Sequence, residues 1–182
     1  MKIQATPIQG LSIIEPKIFE DGRGYFFEIY NQKQFVAFGL EPHFLQDNES
    51  FSKFGTLRGL HFQKGAHAQA KLVRAIQGEI WDVAVDLRPS SPTFSKSFGT
   101  RLSGENKCQL FIPRGFAHGF VVLTETALVS YKCDNLYSPE HEGAIHYADP
   151  VLAIDWILPR EKIFISEKDQ KNPSFVSVRG RL

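Results

Sequence analysis

A chain of 182 residues, 42% apolar and 23% charged, is long enough to bury one sizeable core and has the balance of an ordinary globular protein. Its 21 Lys and Arg against 20 Asp and Glu leave a formal charge of +1, which excludes a general nucleic-acid binder; basic side chains must act locally, on one anionic ligand. No apolar run approaches membrane-spanning length and residues 1–7 hold no apolar signal core, so a cytoplasmic protein with no membrane partner is expected.

Taken in order, residues 11–16 (LSIIEP) read as a first strand ended by Pro16. Gly22 and Gly24 then make a tight turn with Arg23 at its tip, followed by the aromatic strand Tyr25-Phe26-Phe27-Glu28. Residues 31–39 are the best helix candidate, with Asn31 as N-cap, Phe35 and Phe38 a turn apart, and Gly39 as stop. From His43 onward the pattern is strand after strand: 44–50, 57–63, a hairpin of 70–76 and 79–87 around Gln77-Gly78, then 97–102, 108–112, 119–123 and 127–134. In the second hairpin arm Trp81, Val83, Val85 and Leu87 share one face; Ile80, Asp82, Ala84 and Asp86 share the other, which meets either solvent or a polar cavity. Beyond Leu136 the texture is irregular, apart from a short helical turn at 166–169 capped by Ser166. No linker divides the chain, so one domain over 1–182 is expected, an antiparallel sandwich or barrel with few helices. Cys108 and Cys133 sit in apolar, strand-like stretches and read as free thiols of a reducing compartment.

Residues 57–63 (LRGLHFQ) are a poor core strand, because they place Arg58, His61 and Gln63 where burial without partners is costly. His61 alone reads as an ordinary surface histidine. His118 in IPRGFAHGF and the strand-borne Lys71 and Tyr131 change that, since inward positions of several barrel strands converge on one cavity. Such a set suits proton transfer at carbon beside a carbonyl. His61 removes the proton, Lys71 or His118 stabilises the enolate oxygen, Tyr131 returns a proton to the other face, and Asp169 or Asp82 orients the base. A metal is not expected: Pro113-x-Gly115-x-x-His118 resembles one motif of metal-binding cupins, but their His-x-His with a nearby Glu is missing around His61. His61, His67 and His118 could supply three nitrogens, but nothing in the sequence makes them converge.

Several motifs, in order and at consistent spacing from about Glu15 to Pro173, resemble the dTDP-4-dehydrorhamnose 3,5-epimerase family. They are Asp21-x-Arg23-Gly24-x-Phe26, Gln46-x-Asn48-x-Ser50, GTLRGLH at 55–61, KLV at 71–73, DVAVDLR at 82–88, SPTF at 91–94, IPxGFAHGF at 112–120, Tyr131-Lys132 and SEKD at 166–169. The resemblance implies a cupin-like antiparallel jelly-roll barrel and an isomerase without cofactor. It would invert C3 and C5 of dTDP-4-dehydro-6-deoxyglucose, or act as a 3- or 5-epimerase on another dTDP-4-keto-deoxysugar. It implies His61 as base, Asp169 as its orienting acid, Tyr131 as opposite-face donor and Lys71 as the cation beside the keto oxygen. His118 is then a further pocket histidine, which we expect Asp82 to hold. Arg58 and Arg23 match pyrophosphate-binding positions, for which the guanidinium fork is well suited. Phe26, Glu28, Gln46, Asn48 and Tyr137 match substrate-binding positions. The N-terminal strands, about 1–45, would cross to a partner in a homodimer, so that Arg23 and Glu28 serve the neighbour's site. Departures are Phe62, where the family often has Tyr, and Leu136, which bears on the sugar accepted. One conflict stands: in a regular strand Arg58 and His61 face opposite sides, which a kink at Gly59 or a ligand lying across the strand's end would resolve.

Overall fold

The computed structural model describes residues 1–40 and 42–181. Its strands are Lys2–Ala5 (β1), Ser12–Glu15 (β2), Phe19–Asp21 (β3), Gly24–Phe26 (β4), Gln46–Lys53 (β5), Thr56–Gln63 (β6), Lys71–Gln77 (β7) and Glu79–Asp86 (β8). They continue with Ser97–Ser103 (β9), Gln109–Ile112 (β10), Phe116–Val122 (β11), Thr126–Cys133 (β12), Glu142–Ala144 (β13) and Phe164–Ile165 (β14). Three short helices, Gln32–Ala37 (α1), Glu167–Gln170 (α2) and Phe175–Val178 (α3), complete the described elements apart from single 3-10 turns. One sheet runs β1-β2-β10-β7-β12-β5 and the other β13-β6-β11-β8-β9, with β14 added to β6 and β3-β4 forming a separate hairpin. Apart from β1-β2, β3-β4 and β8-β9, the strands that pair are not consecutive in the chain, and two such sheets face to face make a cupin-like jelly roll.

Alternation along the strands decides what lies between the sheets. Val73 and Ala75 of β7, Ile80 and Ala84 of β8, Leu110 and Ile112 of β10, and Ala127 and Val129 of β12 form the inner core. The other face of β8, with Val83 and Val85, packs instead under the C-terminal segment, against Ile145, Tyr147, Leu152, Trp156 and Phe175. Helix α1 covers the outside of the first sheet by burying Phe35 against Ile14, Leu72 and Phe111. Asn31 caps it by accepting from the Gln34 N–H at 3.2 Å, as expected, whereas Phe38 is left exposed. The sequence pattern does not reveal β1, β3, β13, β14 or α3, all four residues or fewer.

The inner face is not uniform. Followed along β12 it passes from Ala127 and Val129 to Tyr131 and Cys133, and along the antiparallel β7 from Ala75 and Val73 to Lys71. Their register pairs Val129 with Ala75, Tyr131 with Val73 and Cys133 with Lys71. Edge strand β5 adds Gln46, Asn48, Ser50 and Ser52 on the same side, with Asp47, Glu49, Phe51 and Lys53 turned outward and exposed. One end of the interior is therefore apolar and packed, and the other is polar and open.

Candidate active site

The polar end holds two adjoining hollows of about 300 and 380 Å³, both bordered by His61, Lys71 and Tyr131. The first is completed by Gln46, Asn48, Gln63, Cys133, Tyr137 and Glu142, and the second by Ser50, Thr56, Arg58, His118, Ser166 and Asp169. Nine of the twelve site residues expected from sequence thus border one continuous space: His61, Lys71, Tyr131, Asp169, Gln46, Asn48, Arg58, His118 and Tyr137. Arg23, Phe26 and Glu28 do not. Arg23 stands at the hairpin tip with its side chain 91% exposed and paired to Asp21, and Phe26 is exposed beside it. Glu28 accepts from Asn31 and Gln34 at 2.9 Å each, at the start of α1.

Arg58 and His61 reach the same space because β6 carries a bulge. Arg58 pairs with Phe120 and His61 with His118, so three steps on β6 match two on β11 and one extra residue reverses the facing. Gly59 makes this possible. It lies at φ +135°, and a Cβ there would stand 2.6 Å from the Cα of Gly119. The kink resolves the conflict in the sequence pattern.

His61 Nε2 lies 2.7 Å from Asp169 Oδ1. A carboxylate only accepts, so Nε2 carries the proton and Nδ1 is left as the basic nitrogen. Asp169 is fixed in turn. Its N–H caps onto the Ser166 hydroxyl at 3.1 Å, Asn172 Nδ2 donates to Oδ1 at 3.3 Å, and the Gly59 N–H approaches Oδ2 at 3.5 Å. Burial alone would raise the Asp169 pKa, but the hydrogen bond and charge of His61, with Gly59 and Asn172, outweigh it and hold the group below its usual range.

Of the two candidate acids, then, Asp169 serves His61, while Asp82 serves His118 across a 2.7 Å contact between β8 and β11. The face carrying Asp82 meets the interior, not solvent. Burial lowers the pKa of Lys71, against the opposing charges of Cys133, Asp82 and Glu142. Burial also raises that of Tyr131, with Cys133 adding to it and Arg58 opposing, so the phenol keeps its proton at neutral pH. Lys71 Nζ lies 5.7 Å from the centre of the Tyr131 ring.

Three features were not singled out from sequence. Glu142 borders the first hollow and accepts from Lys168 at 2.7 Å; it sits on a three-residue strand with no periodicity to reveal it. Gln63 pins the rim by donating to the carbonyls of His67 and Leu136 and accepting from the Ser138 N–H. Cys133, expected only as a buried thiol, borders the first hollow and takes a 3.7 Å contact from Asn48 Nδ2. The Leu136 side chain is exposed and lines neither hollow, so its departure from the family pattern touches the rim through its backbone alone. His67 is drawn away from His61 and His118 and stacks on His141, with 3.8 Å between ring centres. Among the described residues no group of three or more His, Cys, Asp or Glu side chains is placed to hold a metal ion.

A jelly roll whose open end joins an acid-held histidine, a half-buried lysine and a protonated tyrosine defines a cupin-like protein equipped for acid–base chemistry. Residues 5–177 match the family model described as dTDP-4-dehydrorhamnose 3,5-epimerase. The dTDP-4-dehydrorhamnose 3,5-epimerase of Pseudomonas aeruginosa is 52% identical over 176 residues, 96% of each chain. A crystal structure of the enzyme of that name from Elizabethkingia anophelis superposes with a TM-score of 0.95 at 57% identity, over 97% of each chain. The dTDP-6-deoxy-D-glucose-3,5-epimerase of Legionella pneumophila, solved in complex with dTDP-4-keto-L-rhamnose, does so with a TM-score of 0.91 at 49% identity, over 95% of this chain and 92% of that one. This chain belongs to the dTDP-4-dehydrorhamnose 3,5-epimerase family.

Proposed function

We propose that this protein is an isomerase that inverts C3 and C5 of dTDP-4-dehydro-6-deoxy-D-glucose, giving dTDP-4-dehydro-L-rhamnose. The observation that carries the reading is the shared cavity, in which His61, backed by Asp169 at 2.7 Å, stands with Lys71 and Tyr131 around one space. Both carbons flank the C4 ketone, so loss of either hydrogen leaves an electron pair that delocalises onto the C4 oxygen. His61 Nδ1 takes the proton, and the Lys71 ammonium stabilises the enolate oxygen in surroundings where such a charge acts strongly. The Tyr131 phenol then gives a proton to the opposite face of the same carbon. Solvent returns a proton to the phenolate and takes one from the imidazolium, so no net redox or group transfer occurs. Arg58, with Gln46, Asn48 and Tyr137, binds the dTDP portion.

The protein acts as a cytoplasmic homodimer in which Arg23, Phe26 and Glu28 of one subunit complete the cavity of the other. Support comes from the hairpin that carries them: β3-β4 stands apart from both sheets, with Phe19, Tyr25 and Phe26 more than half exposed. The test of the chemistry is turnover of the sugar nucleotide in deuterium oxide. Double inversion predicts two deuterons in the product, at C3 and C5; a single deuteron would move the assignment to an epimerase of one carbon.

A further inference from the structure

The cavity contains a second histidine–carboxylate pair that the proton-transfer scheme leaves without a task. Asp82 is wholly buried on β8 and His118 is 6% exposed on β11, and Nε2 of the ring lies 2.7 Å from Oδ1 of the acid. Since a carboxylate only accepts, Nε2 must hold a proton here too. Asp82 Oδ2 has no hydrogen-bond partner among the described residues. Nδ1 of His118 likewise bonds to nothing among them, on a ring that borders the second hollow beside Lys71 and His61.

Resting on the epimerase reading above, we propose that Asp82 is a positioning residue: it fixes His118 in the Nε2–H form, so that Nδ1 faces the substrate as a hydrogen-bond acceptor and Lys71 is the one cation at the enolate oxygen. The ring's neighbours agree with this. Asp82 from β8 bonds to it, and it shares the second hollow with His61 and Arg58 from β6, Lys71 from β7, Tyr131 from β12 and Asp169 from α2. A second positive charge would sit among three basic groups, with Asp82 beside it and Asp169 already engaged by His61. Burial holds His118 below the usual imidazole range, Lys71 and His61 add to that, and Asp82 opposes it without prevailing. The Asp82 charge is then free to favour the protonated form of Lys71, whose side chain is desolvated. In this arrangement His118 accepts from a sugar hydroxyl or from the Lys71 ammonium and does not donate to the ketone.

The first test needs no substrate, so its failure is separate from failure of the epimerase reading. With 15N-labelled histidine in the dimeric protein, the His118 ring signals, assigned by their loss in His118→Gln, are expected to show Nε2 protonated and Nδ1 bare at pH 7.5. An imidazolium, or the Nδ1–H form, would overturn the proposal. The second test is Asp82→Asn, which keeps the volume but removes the charge and no longer specifies the tautomer. The expectation is a kcat lowered by about tenfold or more, within the range of acid–base contributions. KM should stay within about threefold, and the alkaline limb of the pH–rate profile should move to lower pH as Lys71 loses its proton more readily. A wild-type kcat with an unmoved limb would overturn it; should the variant fail to fold, the ring-nitrogen measurement decides alone.

Discussion

His61 and Arg58 sit three residues apart and do different work. The imidazole is tied to Asp169 and, in the proposed reaction, acts on the reacting carbons, whereas Arg58 borders the second hollow and uses Nε on Ser52 Oγ at 3.1 Å. In the proposed complex its two terminal nitrogens would donate to phosphate oxygens. The two side chains should therefore separate in kinetics. His61→Ala is expected to bind dTDP as the wild type does while kcat falls by about a thousandfold, as loss of a general base does. Arg58→Ala is expected to weaken dTDP binding by about ten- to a hundredfold, the worth of one charge-assisted hydrogen bond, with a smaller effect on kcat. Calorimetric titration with dTDP beside steady-state rates reads both; equal losses of affinity in the two variants would contradict the division.

At the scale of elements, the bulge in β6 is what allows this division. Adding a Cβ at Gly59 places a carbon 2.6 Å from Gly119 Cα and 3.0 Å from the His118 carbonyl, at a φ of +135° that side chains rarely adopt. Gly59→Ala should thus lower the melting temperature by several degrees and reduce kcat by more than tenfold, because straightening β6 turns either Arg58 or His61 out of the cavity. Scanning calorimetry with rates checks this; a variant of wild-type stability and activity would show that the bulge is not needed. Sequence patterning carried much of the architecture, because β5, β7, β8 and β12 are each seven or eight residues long and bounded by turns. It failed where the alternation breaks or the element is too short to alternate. The period of two puts Arg58 and His61 on opposite faces; that they share one depends on the bulge and on backbone contact between Gly59 and Gly119 across strands. Spacing alone could not say which acid served which histidine, because Asp169 reaches His61 from 108 residues away, on a four-residue helix; only the family resemblance gave the pairing. Glu142, on a three-residue strand, gave no pattern at all.

For the molecule as a whole, the cavity is shaped by both sheets, and the hairpin with Arg23 lies away from it. If that hairpin completes a neighbour's cavity, two defective variants should complement each other. His61→Ala and Arg23→Ala proteins, unfolded and refolded together, are expected to recover activity through mixed dimers that contain one intact cavity, above the sum of the separate variants. No gain, with mixed dimers present by native mass spectrometry, would place Arg23 outside the reaction. The two-faced transfer itself is tested most directly by Tyr131→Phe with dTDP-4-dehydro-6-deoxyglucose in deuterium oxide, followed by NMR. His61 still removes a proton from carbon and returns a deuteron to the same face, so exchange without inversion is the predicted result. Inversion at the wild-type rate would contradict the scheme, as would the absence of both exchange and inversion in a variant that still binds dTDP.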